Sequence, residues 1–426
     1  MARPKTFRFD SFNRRPTEER WAVGILTSSE CRRLEMVLLS CIGNGLEIRS
    51  TIHAAKKVSI PDEVGSLFRQ LGATGTNLSE SMGRLRCELA EFQAEAVLDF
   101  CREAAIPTNQ ILVIASLDPG CWCGAGSSIQ CIEISDPARL AERTGMNVID
   151  AFSSRDLAQG GQGGPVTAIA EWVLLHARQE TRLLLDLGAT TRMTLLPAQI
   201  VRSAASCILS FEVGPGMRLL DQLTQQLTTG EYTFDPGGSL AVQGKKVKPL
   251  LEHWLADPIF DRPLPRWQPH GVRVERFLND AVRMAIEADW SVRDLLCTAT
   301  HLIAESIAHT LQRRLPEDLP VKQILLTGGG RFNGMLLREL AARLPEVAMD
   351  SIEAFGIPAF GPDAAAVALL GLFYLDQTPG NSTAITKTEI PRVLGRLTPG
   401  SPQAWQRLLQ QMTGQSGAVR PLRAAI

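Results

Sequence analysis

The sequence has no long apolar run, no excess of charge of either sign and no paired cysteine motif. No stretch approaches the roughly 20 consecutive apolar residues that a membrane-spanning helix requires. Lys and Arg number 44 against 45 Asp and Glu, so no global electric field attracts nucleic acid or an acidic surface. These absences predict a soluble protein that binds a small or neutral ligand, with neither nucleic acid nor a membrane as partner.

The nine cysteines are odd in number and scattered along the chain, so a disulfide framework is not expected. Cys121-Trp-Cys123 with Cys131 hints at a metal, but no histidine ligand lies close by. We therefore interpret these cysteines as buried thiols and predict no metal site. Residues 1–20 are basic and lack the apolar segment of a secretory signal, which predicts a disordered arm and a cytoplasmic protein.

A chain of 426 residues is too long for one ordinary core. Alternating strand and helix patterns predict an α/β protein with two lobes and a cleft. Apolar runs at residues 21–26, 36–42 and 46–58 predict an antiparallel meander at the start of the first lobe. The predicted divisions are an arm at 1–20, an N-terminal lobe at 21–147, a C-terminal lobe at 148–375 and an appendage at 376–426.

The central motif of the chain is Ser210-Phe-Glu-Val-Gly-Pro-Gly216. It places the Glu212 carboxylate at a strand end, directly before a Gly-Pro-Gly turn that opens a helix. Many enzymes hold a base beside a phosphate in this way. We predict that the motif forms the floor of the cleft and that Glu212 is the catalytic base.

Three further glycine-bearing turns, at residues 160–164, 186–191 and 327–330, are expected to meet this floor. A residue without Cβ lets an anionic ligand approach backbone N–H groups. The strand, glycine turn and helix over residues 322–344 favour phosphate or adenosine, and the absence of a Walker lysine excludes a P-loop. The predicted nucleotide contacts are Gly188, Gly214, Gly216, Gly328, Gly329, Gly330 and Asn333.

A polar loop at residues 152–160 carries Arg155 and Asp156 next to the glycines at 160 and 161. Such a loop is a candidate sugar or phosphate contact, so Arg155, Asp156, Gly160 and Gly161 are predicted to bind substrate. An equal alternative is an internal Arg155–Asp156 ion pair that only shapes the loop.

Five stretches in this order resemble the anhydro-N-acetylmuramic acid kinase family of the sugar kinase/actin superfamily. They are residues 143–145, 155–165, 214–221, 255–258 and 328–333. The resemblance spans about residues 21–375. It implies two ribonuclease-H-like lobes around an interlobe cleft, usually in a homodimer. It also implies an enzyme that uses ATP to phosphorylate a murein-derived sugar while opening its 1,6-anhydro bond.

The departures from the family pattern fall on the motifs that carry out the family's chemistry. The family's first hairpin turn cradles phosphate with glycine and Asp, whereas residues 27–33 contain neither. The family's lid motif is replaced at residues 266–271, its distal glutamate by Ala366, and its Asp base by Glu212. Residues 27–33 are accordingly predicted to form a plain polar hairpin turn.

Phosphoryl transfer depends on positioning and on neutralising the phosphate oxygens, so these losses predict weak or absent catalysis. The leading hypothesis is a pseudokinase with a binding or regulatory role in murein amino-sugar recycling. The alternative is an active sugar kinase that uses Glu212 as base. ATP and magnesium are expected only in that alternative. A third hypothesis is a structural partner of an active relative, joined through the family's dimer surface.

Overall fold

The computed structural model describes residues 19–71, 77–124, 129–201, 203–228, 230–269, 271–358 and 360–413. Most of the predicted N-terminal arm, residues 1–18, and the end of the predicted appendage, residues 414–426, lie outside these ranges. The strands are β1 (Arg20–Thr27), β2 (Arg33–Ile42), β3 (Arg49–Ser59), β4 (Ile111–Leu117), β5 (Cys121–Cys123), β6 (Gln130–Ile132), β7 (Val148–Asp150), β8 (Thr181–Leu187), β9 (Thr190–Leu196), β10 (Leu209–Pro215), β11 (Val321–Thr327), β12 (Ala348–Ser351) and β13 (Arg396–Thr398).

The described residues form thirteen α-helices. They are α1 (Asp62–Gln70), α2 (Leu78–Glu103), α3 (Pro137–Thr144), α4 (Phe152–Leu157), α5 (Ala168–Leu175), α6 (Met217–Leu227), α7 (Lys248–Leu255), α8 (Glu275–Ala288), α9 (Val292–Arg313), α10 (Gly334–Arg343), α11 (Pro362–Leu375), α12 (Thr383–Thr386) and α13 (Pro402–Thr413). The predicted cap of α3 is confirmed, because the Asp136 carboxylate accepts the N–H groups of Ala138 and Arg139. Within the described ranges, none of these helices combines the length and apolarity needed to cross a bilayer.

The first sheet has the strand order β13-β7-β4-β1-β2-β3. Strands β1, β2 and β3 run antiparallel, which confirms the predicted meander. Strand β4 lies parallel to β1, and β7 lies parallel to β4. The last strand, β13, adds antiparallel to β7 at the sheet edge.

The second sheet repeats this arrangement in the order β10-β9-β8-β11-β12. Strands β8, β9 and β10 form an antiparallel meander, and β11 and β12 follow parallel to β8. Five strands with the same order and the same directions therefore occur twice, and each set is a ribonuclease-H-like unit. The predicted α/β fold with two ribonuclease-H-like lobes is confirmed.

Helices α5 and α11 lie between the two sheets and share one apolar core with both. The outer face of the first sheet packs on α2 and α3, and that of the second on α6 to α10. Gly24 of β1 is needed for the close approach of α11, since a Cβ there would collide with the Ala364 carbonyl oxygen. Helix α11 therefore packs on the strands of the first sheet although it follows the second sheet in the chain.

Sheet membership differs from the predicted domain limits in two places. Residues 148–150 were assigned to the C-terminal lobe, but they form β7 of the first sheet. Residues 396–398 were assigned to an appendage, but they form β13 of the same sheet. The physical reason is that both strands are only three residues long, and their pairing partners lie far away in the sequence.

Candidate functional site

The predicted floor of the cleft is the end of β10 and the turn that follows it. Glu212 is 7% exposed, and its backbone N–H donates to the Arg266 carbonyl oxygen at 2.9 Å. Gln268 donates its backbone N–H to the Glu212 carboxyl group. Burial, opposed by this hydrogen bond and by Arg192, Arg266 and Arg218, raises the pKa of Glu212 to about 8. A proton therefore occupies this carboxyl group over much of the neutral pH range.

Arg266 fixes the backbone on both sides of Glu212. Its buried guanidinium donates to the carbonyl oxygens of Glu212 at 2.7 Å and Val213 at 2.8 Å. The same group also donates to the carbonyl oxygens of Ile259 and Phe260 at 2.7 and 3.0 Å. The segment at residues 262–269, which we call the strap, is thereby tied along the outer edge of β10.

Three of the four predicted glycine turns pack directly on one another. Gly216 lies against the carbonyl oxygens of Gly188 and Ala189, and a Cβ at Gly328 would lie 2.7 Å from the Gly188 nitrogen. A Cβ at Gly330 would lie 2.9 Å from the Met217 sulfur. These glycines therefore allow turns of the protein to approach one another closely.

The residues predicted to contact a nucleotide differ in how much space is left beside them for a ligand. Next to Gly214, the Phe260 ring fills the space where a Cβ would lie, at 2.7 Å. Gly329 has no neighbouring atom within 4 Å of that position, so it is open to a ligand. Asn333 is 6% exposed and caps α10, because its side-chain oxygen accepts the N–H of Leu336 at 3.0 Å.

The start of α6 was predicted to face a phosphate. Its first two N–H groups instead donate to the β8–β9 turn, from Met217 to the Gly188 carbonyl oxygen at 2.8 Å and from Arg218 to that of Ala189 at 3.3 Å. A helix N-terminus binds anions through such N–H groups. Here the protein's own carbonyl oxygens already accept them.

The turn between β1 and β2 is a polar hairpin turn, as predicted. The N–H groups of Arg32 and Arg33 both donate to the Ser28 hydroxyl, at 3.2 and 3.1 Å. The N–H of Cys31 donates to the Ser28 carbonyl oxygen at 2.8 Å, and Glu30 lies 3.8 Å from Arg218 of the second lobe. The turn thus satisfies much of its own backbone and contacts the opposite side of the cleft through an ion pair.

Arg192 of β9 is the central charge between the two sheets. Its guanidinium pairs with Glu171 of α5 at 2.6 Å and with Asp363 of α11 at 2.9 Å. Asp186 at the end of β8 lies 3.7 Å away. Glu171 is fully buried, and Thr167 donates its hydroxyl to the same carboxylate at 2.6 Å. We call these four charged residues the Arg192 cluster.

Burial and mutual repulsion perturb the carboxyl groups around this cluster. Burial raises the pKa of Asp186 to about 7, against the opposing effect of Arg192. Burial, with Asp363 and Asp186 adding to it, raises the pKa of Glu35 on β2 to about 7. Burial also acts to raise the pKa of Glu171, but Arg192 and Thr167 outweigh it and lower this pKa. Perturbed carboxyl groups in a cleft are typical of functional sites.

The residues present do not fit a magnesium ion at the Arg192 cluster. Magnesium binds carboxylate oxygens and retains several waters, but here the guanidinium already occupies the centre of the three carboxylates. Ala366, in place of the family's distal glutamate, is fully buried in the core between the sheets. Among the described residues, no group of three or more His, Cys, Asp or Glu side chains has the geometry of a metal site.

The cysteines of the β5–β6 hairpin are free thiols. Cys121 and Cys131 are half-buried, and burial raises the pKa of both. Cys123 is exposed, so the prediction of a buried thiol is wrong at that position. The hairpin edge is short and turns this side chain to solvent.

The segment predicted as a substrate loop is in part a helix, because residues 152–157 form α4. It is organised by Asp156, which is fully buried. Its carboxylate accepts hydrogen bonds from the Asn381 amide, from the Thr386 hydroxyl at 2.7 Å and from the Gly163 N–H at 2.8 Å. These partners replace the internal pair with Arg155 that was the alternative. Gly161 has no Cβ to collide with this carboxylate, and Gly160 faces open space.

We expect Asp156→Ala to destabilise the protein by about 3 kcal/mol, because it leaves several buried donors without an acceptor. Asp156→Asn should recover part of this loss. The matched control is Arg155→Ala at the exposed neighbouring position, with an expected change of about 0.5 kcal/mol or less. Urea unfolding followed by circular dichroism measures both. Equal effects at the two positions would contradict the anchoring role of Asp156.

The sequence did not point to Arg192, Glu171 or Asp363 as one unit. The nearest signal was Arg192, the one charged residue in a strand otherwise made of threonine, methionine and leucine. Nor did it single out Trp122 and Trp267, which meet at the cleft with ring centroids 5.0 Å apart. Only the sheet packing brings these residues together.

Two ribonuclease-H-like lobes with perturbed carboxyl groups between them define a protein of the sugar kinase/actin class. The sequence profile described as "Anhydro-N-acetylmuramic acid kinase" matches residues 22–400. The chain belongs to the anhydro-N-acetylmuramic acid kinase family.

Two relatives illustrate the extent of the similarity. The anhydro-N-acetylmuramic acid kinase of Caldanaerobacter subterraneus subsp. tengcongensis is 26% identical over 388 residues, which cover 89% of this chain and 97% of the relative. The enzyme of that name from Gloeobacter violaceus is 30% identical over 373 residues, covering 86% and 95%. One solved structure is also similar to this chain, the activator of the 2-hydroxyisocaproyl-CoA dehydratase from Clostridium difficile with bound ADPNP. The similarity covers 83% of this chain and 94% of that structure's chain, with 12% sequence identity and a TM-score of 0.39.

Proposed function

We propose that this protein is a pseudokinase of its family, with a cleft that holds a sugar and a binding or regulatory role in murein amino-sugar recycling. The observation that carries the proposal is the internal use of backbone N–H groups at the β1–β2 turn and at the start of α6. Arg32 and Arg33 donate to Ser28, and Met217 donates to Gly188. Catalysis of phosphoryl transfer depends almost wholly on such groups and on metal ions. A cytoplasmic location and a homodimer remain part of this proposal.

The Arg192 cluster supports the same proposal. Its guanidinium pairs with Glu171 and Asp363 and competes with any divalent cation for the same oxygens. A cluster of three carboxylates and one arginine also carries no excess positive charge to attract a triphosphate. Loss of phosphoryl transfer is therefore compatible with retention of a neutral sugar ligand.

A second candidate function is an active ATP-dependent sugar kinase with Glu212 as general base. The observation in its favour is the pKa of about 8 at Glu212, because a base is most effective when its pKa lies near the working pH. Family membership supports it as well. In this case Gly329, whose Cβ position is open, would lie near the nucleotide, and both ATP and magnesium would be required.

Phosphoryl transfer from labelled ATP separates the two candidates. The purified protein is incubated with magnesium and anhydro-N-acetylmuramic acid, or with a panel of related sugars, beside Glu212→Gln and the surface control Glu142→Gln. We expect no turnover near the roughly 1–100 s⁻¹ typical of kinases. Turnover in that range that disappears only in Glu212→Gln would establish the kinase and overturn the pseudokinase.

A further inference from the structure

Two tryptophans from different parts of the fold meet beside the cleft floor. Trp122 lies on β5, in the segment attached to the first sheet, and Trp267 lies in the strap along β10 of the second. Their rings contact edge to face, with centroids 5.0 Å apart and planes at 60°. Both side chains are half-buried, so each keeps part of its ring surface accessible.

The predicted substrate loop passes directly beneath this pair. A Cβ at Gly163 would lie 2.6 Å from the Trp122 ring, and one at Gly164 would lie 2.6 Å from the Trp267 ring. The Gly163 N–H is itself held by the buried Asp156 carboxylate. Two consecutive glycines thus let the backbone approach both indoles, and Asp156 fixes that backbone in place.

Hydrogen bonds fix the segments that carry the two tryptophans. Gln268, next to Trp267 in the chain, donates its backbone N–H to the Glu212 carboxyl group. The Trp122 indole N–H donates to the Pro119 carbonyl oxygen at 2.7 Å, which fixes that ring. The strap that carries Trp267 is tied to β10 by Arg266. The site therefore combines two aromatic rings with backbone segments that are held in place by hydrogen bonds.

We propose that Trp122 and Trp267 form an aromatic clamp that binds the apolar face of a pyranose ring. Sugar rings present C–H groups on their faces, and these match an accessible indole surface. The clamp rests on the proposed function, since it supplies the sugar specificity of the same cleft.

The test is sugar binding measured by calorimetry and by intrinsic tryptophan fluorescence, neither of which requires catalysis. The probes are anhydro-N-acetylmuramic acid and N-acetylglucosamine. We expect Trp122→Leu and Trp267→Leu each to weaken binding about tenfold. Trp267→Phe, which keeps an aromatic face, should retain binding to within about threefold. Trp290→Phe, half-buried between α8 and α9, serves as the control and should bind as the wild type does.

The outcomes separate the clamp from the function on which it rests. Wild-type binding that both leucine variants retain would overturn the clamp and leave the sugar cleft intact; the two rings would then only join the lobes. No binding of either sugar to the wild-type protein would overturn the sugar cleft and the clamp together. Circular dichroism of every variant shows whether a loss of binding is a loss of fold. If a leucine variant does not fold, Trp267→Phe still tests the clamp, because it keeps an aromatic ring at that position.

Discussion

Replacing Arg192 with methionine is expected to lower the free energy of unfolding by about 3–5 kcal/mol near neutral pH. The substitution keeps much of the side-chain volume but removes the cation that pairs with Glu171 and Asp363. Glu171 is fully buried, and one of its carboxylate oxygens already lacks a hydrogen-bond partner. Without Arg192, a charged Glu171 would lie uncompensated between the two sheets. Urea unfolding followed by circular dichroism measures the loss.

The control for this experiment is Arg283→Met on the exposed face of α8, where an ion pair with Asp280 is expected to contribute less than about 1 kcal/mol. The loss in Arg192→Met should shrink towards about pH 5, because the carboxyl groups can then take up protons. A loss of equal size at both pH values would show that unpaired carboxylates are not its cause.

Removing the guanidinium should also expose a cation site. We expect magnesium or manganese at millimolar concentration to raise the melting temperature of Arg192→Asn, because Glu171, Asp186 and Asp363 then offer free carboxylate oxygens. The wild-type protein should respond little. An equal response of the wild-type protein would show that the cluster accepts a metal ion beside Arg192.

The second large effect concerns Glu212, and it depends on pH. Burial raises its pKa from 4.5 to about 8, so the folded protein holds this proton more tightly than the unfolded chain does. The protonated group contributes fully to stability below about pH 4.5, and that contribution is lost as the pH rises through about 8. Glu212→Gln carries no charge at any pH. The variant should therefore match the wild type near about pH 4.5 and exceed it by a few kcal/mol near about pH 9.

Melting temperatures measured across this range test the prediction, with Glu142→Gln on the exposed face of α3 as the control. The pKa values of Asp186 and Glu35 are also raised, to about 7, so both groups lower the stability of wild type and variant equally as the pH rises. The difference in stability between wild type and variant therefore reports on Glu212 alone. A difference that does not change with pH would mean that Glu212 is charged in the folded protein at neutral pH.

Much of the local architecture could be predicted because its causes lie within a few residues. Alternating apolar residues predicted the β1–β2–β3 meander, and the Asp136-Pro pair predicted the start of α3. The glycine turn after β11 lies where the sequence placed it. The groups that each turn contacts could not be predicted from neighbouring residues. The first N–H groups of α6, for example, donate to carbonyl oxygens of the β8–β9 turn.

The sequence by itself determined the longer strands and helices, the two-lobe fold and the family, since periodicity, caps and motif order are all properties of neighbouring residues. It did not determine the short elements β7, α4 and β13. Only the tertiary structure decided the chemistry between the lobes. Arg192 and Asp363 are 171 residues apart, and Asp156 finds its partners 225 and 230 residues away. Such contacts depend on how two sheets pack around α5 and α11, and no local pattern in the chain records that packing.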